Sequence, residues 1–250
     1  MVFLSTWTNT GPTGHEQSDD NTMEKMIYFL SRKHDQDAET FRHYLLETVA
    51  GELRTAGARQ ITLNVADMND QLQADAPGRL LGPWQDVGAA VSLWHDTIDE
   101  RAGIEASLSA VSASITGYLV TESVVQPFER EWEYGERRPG VTQFGANGKP
   151  EGVTDEAFYH NWQVLHSAQS FDLHPLRWSY VRNAVARPLT PDAPPYRAIV
   201  QEHFRTLEDF TDDSRYFGSN EALQEMIEHM PGFCDLNCMF SVGMSEYAFK

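Results

Sequence analysis

Two stretches of this chain carry related residues at a near-constant separation. Phe41 falls against Phe158 and Val49 against His166, each pair 117 positions apart. Lys33 and Lys149 are 116 apart, Asn64 and Asn183 are 119 apart, and WHDTIDE at 94–100 lies against HFRTLED at 203–209, offset by 109. A longer first-half loop at 66–88 absorbs the change of offset. A repeat of this length restricts the chain to two copies of one supersecondary unit.

The order of local patterns identifies the unit. KMIYFLS (25–31) is apolar with an aromatic and reads as a strand. Over 38–56 the apolar residues Phe41, Leu45, Val49 and Leu53 recur every four positions, which predicts an amphipathic helix. Asp35 or Asp37 would cap it and Gly57 would stop it. QITLNV (60–65) alternates as a second strand; 89–94 is a third, 98–111 a helix and 117–124 a fourth strand. That order is β-α-β-β-α-β, the ferredoxin-like split βαβ arrangement.

The second half runs the same way. Strands are expected at 140–145, 177–181, 198–204 and across 233–249. Helices are expected from Thr154, as cap, to about His166, and at 220–229, with an acidic helical turn at 207–210. Residues 1–22 read as a flexible leader, 23–130 as the first repeat, 131–139 as a charged linker and 140–250 as the second repeat. Each four-stranded sheet would have one face covered by its helices and one bare. Packing the two bare faces together predicts an α+β fold, an intrachain pseudo-dimeric α+β barrel. Such a chain would be a monomer or pair further into a homodimer.

Composition narrows the partners. The formal net charge is −18, from 37 acidic and 19 basic residues. Nucleic acid and anionic membrane surfaces need clustered Lys and Arg, so neither is expected. No stretch approaches 18 consecutive apolar residues, so no membrane span is expected. The polar leader lacks a basic n-region and does not read as a secretory signal. Cys234 and Cys238 lie on a predicted strand, where positions four apart sit roughly 13 Å apart, too far for a disulfide. A reducing cytoplasm fits two unpaired thiols.

Residues 158–183 hold three of the nine histidines and two of the six tryptophans. The sequence there resembles the EthD family of dimeric α+β barrels in its tandem form, over about residue 23 to the C-terminus. FYHNWQVLHSA resembles that family's helix ending in Trp-x-x-x-His, WSYVRN its following strand, and IVQEHF with RTLEDF its third strand and helix entry. In the first half Leu45 stands where Trp162 does and Val49 where His166 does. The resemblance implies chemistry in the second half only. The family is mixed: decarboxylases, cyclases and dehydratases of aromatic or polyketide metabolism, cofactor-free monooxygenases, and proteins of unknown activity.

The candidate catalytic residues are His166, Glu202 and His203. A neutral imidazole beside an apolar pocket can exchange a proton near pH 7; the bland alternative is a histidine at a helix C-terminus. Glu202 and His203 are strand neighbours, so only one can face a given cavity. A buried Glu202 would have a raised pKa. Trp162, Tyr180, Asn183 and Arg177 are the candidate substrate contacts: Tyr180 and Asn183 for a phenol or carbonyl oxygen, Arg177 for a carboxylate. His174 reads as a loop residue. No dinucleotide, nucleotide or serine-hydrolase motif is present.

The expected function is a cofactor-independent lyase, decarboxylase or cyclase acting on a small hydrophobic, oxygenated organic ligand. The alternatives are a cofactor-free, haem or metal monooxygenase of the same barrel, with His166, Glu202 and His203 as possible metal ligands, and a non-catalytic binder of hydrophobes.

Overall fold

The computed structural model describes residues 23–67, the backbone of 80–81, and 87–250. The expected leader and most of the 66–88 loop lie outside these residues. Nine strands form one sheet: β1 (Glu24–Ser31), β2 (Arg59–Val65), β3 (Leu80–Leu81), β4 (Val87–His95), β5 (Ser114–Gln126), β6 (Val141–Gly148), β7 (Arg177–Pro188), β8 (Tyr196–Phe204) and β9 (Asp235–Phe249). Their order is β2-β4-β1-β5-β7-β8-β6-β9, and β2 also pairs with β9, so eight antiparallel strands close into a barrel. The two-residue β3 adds to β9 within the stretch expected to be loop.

Strand order is the same in each half: second, third, first, fourth. The register has the same symmetry. Glu122 on β5 lies opposite Asn183 on β7, and Glu246 on β9 lies opposite Asn64 on β2.

Each half crosses from its first to its second strand through one long helix. In the first half this is α1 (Ala38–Tyr44), a π-helical stretch at Leu45–Val49, and α2 (Ala50–Thr55). Asp37 caps it, accepting from the Thr40 N–H at 2.8 Å. α3 (Ala102–Val111) leads to β5. In the second half α4 (Asp155–Tyr159), a π-helical stretch at His160–His166, and α5 (Ser167–Leu173) form the crossing, so the helix outruns its expected end near His166 by two turns. Thr154 caps it as expected. α6 (Leu207–Thr211), α7 (Asp213–Tyr216) and α8 (Asn220–His229) follow β8.

Apolar residues sort by strand parity. In the first half Phe41, Leu45, Val49 and Leu53 pack on the outer face of β1, β2 and β4 as a filled core. Ile27, Phe29, Tyr118, Phe144, Ile199 and Phe240 fill part of the lumen, with Phe29 edge-on to four other rings.

The stretch 131–139, expected to be a linker, is bound to the barrel. The Arg138 N–H donates to the Glu246 carbonyl at 2.8 Å and the Gly135 N–H to that of Ala248 at 2.8 Å. Arg138 is buried, its guanidinium 3.8 Å from the Phe128 ring centroid and 4.8 Å from that of Trp178. This strap turns into β6 at Gly140, where φ is +102° and a Cβ would sit 2.1 Å from the Phe204 carbonyl oxygen. Gly140→Ala should therefore destabilise the fold by more than about 1 kcal/mol. Urea denaturation checks this, and an unchanged midpoint would mean that the turn tolerates another conformation.

Candidate active site

The second half does not fill the space between sheet and helices. A cavity of about 160 Å³ lies there, lined among others by Trp162, His166, His174, Tyr180, Glu202 and Tyr216. The first-half equivalents explain the contrast: Leu45 and Val49, both fully buried, occupy the positions of Trp162 and His166.

Trp162 and His166 reach the cavity from the π-helical stretch, where the Ser167 hydroxyl donates to the Trp162 carbonyl five residues back, at 3.0 Å. Single π turns often mark functional positions. The imidazole of His166 stacks on Phe233 with centroids 4.4 Å apart. Its Nδ1 is buried and has no hydrogen-bond partner. Burial pushes its pKa down to about 4, while the Glu202 carboxylate pulls the other way. His166 is thus a neutral imidazole with a free ring nitrogen.

Glu202 enters from β8, and Tyr180 lies opposite it on β7. A bulge between Arg177 and Ser179 turns Arg177 onto the same face. Arg177 donates to Glu202 at 2.5 Å and to the Ser170 hydroxyl at 3.1 Å, and its guanidinium lies 4.1 Å from the Tyr180 centroid. Burial alone would raise the Glu202 pKa, as expected from sequence. Arg177, with His174 and His166, outweighs it and holds the carboxyl below its usual range. Glu202 is therefore an ionised partner of Arg177 rather than a neutral acid. Burial pushes the Tyr180 hydroxyl up to about 12, so it remains a proton donor in hydrogen bonds.

Strand parity sends the other two candidates elsewhere. His203 and Asn183 face the lumen. His203 Nε2 lies 2.8 Å from the Pro139 carbonyl and its Nδ1 2.8 Å from the Thr142 hydroxyl. Asn183 accepts from the Lys25 ammonium at 2.8 Å. Tyr180 and Asn183, three apart on a strand, cannot hold one oxygen together. His166, Glu202 and His203 cannot assemble as metal ligands for the same reason. Among the described residues no cluster of three His, Cys, Asp or Glu side chains has metal-binding geometry.

The structure adds residues not singled out for the site. His174, expected in a loop, is buried; its Nδ1 donates to the Tyr216 carbonyl at 2.8 Å, and its ring lies 4.4 Å from that of Tyr216. Tyr216 donates to Gln143 at 2.5 Å. Met226, Met230, Met239 and Cys234 complete a soft apolar wall.

No family model matches the sequence, and no curated protein matches it. Solved structures do match. An anthrone oxidase-like protein superposes with a TM-score of 0.56 at 11% identity, over 92% of this chain and 94% of its own. A candidate monooxygenase from Lactobacillus acidophilus NCFM gives 0.50 at 11% identity, over 90% and 94%. A variant of chlorite dismutase from Candidatus Nitrospira defluvii gives 0.48, too distant to argue from. The fold is that of the dimeric α+β barrels. At these identities the shared barrel says nothing of reaction, and the EthD resemblance rests on its motifs alone.

A haem is among the alternatives expected from the sequence. Ligands larger than a few rings take cavities of roughly 300–1,000 Å³. The 160 Å³ beside His166, walled by Phe233 and three methionines, does not fit a porphyrin.

Proposed function

We propose that this chain is a cofactor-independent enzyme that begins by removing a proton from a single-ring, oxygenated aromatic substrate held in the second-half cavity. The observation that carries this reading is the buried, unpartnered Nδ1 of His166 in an apolar space the size of one ring. A 150 Å³ apolar cavity accepts benzene, and this one is lined mainly by rings and thioethers.

The neutral imidazole takes the proton on its unprotonated ring nitrogen. A nitrogen of low pKa is a weak base in the empty site, but the imidazolium forms beside two negative charges, the new substrate anion and Glu202. Both favour it. Arg177 keeps Glu202 ionised throughout. Tyr180 donates to the substrate oxygen on which charge develops.

By analogy with fold neighbours described as anthrone oxidase-like and monooxygenase, we take oxygen as the second reactant. For an activated methylene the balance is R₂CH₂ + O₂ → R₂C=O + H₂O. The anion adds O₂ to carbon, His166 returns its proton to the peroxide, and loss of water leaves the carbonyl. The barrel itself reads as a fused pair of ferredoxin-like βαββαβ units, supported by the identical strand orders. One unit has kept a site and the other has become core.

The test is oxygen uptake and product analysis with a panel of monocyclic hydroxyaromatics. His166→Ala should lower turnover at least about 100-fold with an unchanged circular dichroism spectrum. Undiminished turnover in that variant would sink the assignment. Turnover that persists without O₂ would return the chain to decarboxylase, lyase or cyclase chemistry through the same proton step. Tight binding without conversion would make it a carrier.

A further inference from the structure

A larger cavity, about 670 Å³, opens at one mouth of the barrel lumen, away from His166. Lumen-facing side chains of the strands form its floor, and Phe128 and Arg130, with Tyr134 and Arg138 of the strap, form one side. The charges on the floor are paired. Lys25 contacts Glu122, and Arg138 contacts Glu246 at 3.2 Å.

Three N–H donors at or beside this mouth are buried and without acceptors: Arg130 Nη1 and Arg138 Nε of its lining, and Trp132 Nε1, whose ring stacks on Phe128. Among the described residues Arg130 has no ion-pair partner. Its guanidinium is instead held 4.5 Å over both Trp132 and Tyr134. Among the described residues no acceptor on this cavity's wall is similarly orphaned. The imbalance runs one way, towards donors, in a chain whose formal charge is −18. Buried donors without acceptors are unfavourable unless something supplies the acceptor. Water would satisfy them singly. A planar carboxylate matches the paired N–H groups of one guanidinium, and Phe128, Tyr134 and Trp94 offer a ring-sized apolar wall beside Arg130.

We propose that the barrel mouth is a second binding site, for an aromatic carboxylate, whose oxygens accept from the Arg130 guanidinium on the cavity wall. It is separate from the proton-transfer cavity and does not depend on that assignment.

The probes are 1-naphthoate and its neutral isostere 1-naphthamide, titrated calorimetrically into the full chain. Naphthoate should bind one-to-one and at least about tenfold more tightly than the amide. Arg130→Gln should remove that preference by weakening naphthoate alone, and His166→Ala should leave naphthoate binding as it was. Equal affinity of acid and amide in the unaltered protein overturns the proposal whether or not the Arg130 variant folds. Absence of naphthoate binding overturns it too. So does naphthoate binding that is lost in His166→Ala and kept in Arg130→Gln, which would place the ligand in the other cavity.

Discussion

Arg177→Met should destabilise the protein by about 3–5 kcal/mol, and the double variant Arg177→Met, Glu202→Gln should regain most of that loss. The reason is the depth of the pair. Arg177 is 3% and Glu202 8% exposed, and Arg177 is Glu202's cationic partner on that face. Removing the cation strands a carboxylate among Tyr180, Tyr216 and methionines. Neutralising both ends strands nothing. Without Arg177, burial would raise the folded-state pKa of Glu202 above its unfolded value. The deficit of the single variant against wild type should therefore shrink as the pH falls towards the unfolded carboxylate pKa, where Glu202 is protonated in both states. Urea denaturation from pH 7 to 5 measures both effects. A single variant as stable as wild type, or a double variant no better than the single, would show that the pair is solvated and carries no such charge.

Acid should be the protein's weakness well before its carboxylates titrate. The pKa is lowered to about 4 at His166 and about 3 at His203, in both cases chiefly by burial; Arg138 adds to the effect at His203. His174 is shifted the same way by burial. Their unfolded value is 6.5. Below that value the unfolded chain binds protons that the folded chain refuses, so stability falls with pH until the folded values are reached. Between pH 7 and 5, His166 and His203 should each contribute about 2 kcal/mol to the loss. His203→Gln should flatten the pH dependence by its share, since glutamine can still donate to Pro139. Stability independent of pH across this range would mean that these imidazoles are reached by water.

What the sequence disclosed follows from which interactions are local. Asp37 and Thr154 were found as helix caps because a cap acts within three residues. Asn220 to His229 was found as a helix within its observed bounds. The 117-residue offset sets Val49 against His166, and the cavity lies in the half that carries the histidine. The site was only partly legible. Trp162, His166, Tyr180 and Glu202 line the cavity, and Arg177 supports it from one bulge away. Parity separated Glu202 from His203 correctly, yet the same rule separates Tyr180 from Asn183. His174 and Tyr216 are 42 positions apart and meet only because α7 folds back over the end of β8; no local pattern marks that. The strap at 131–139 looked like a linker because its charges suggest solvent. Arg138 is buried by aromatic rings drawn from Phe128 and from Trp178, which no window of sequence holds together.

The closure of the barrel also bears on how the chain is made. β2 pairs with β9 through contacts such as Ile61 with Phe249, residues 188 positions apart. While the first half leaves the ribosome, β2 offers an open edge and β1, β4 and β5 an uncovered inner face. Nothing can seal them until the last strand has been translated. Pairings this distant in sequence form slowly, and the open edge is a template for other nascent chains in the meantime. A chain truncated before β9 would keep that edge permanently: it would be a broken ring prone to aggregate, not a smaller barrel.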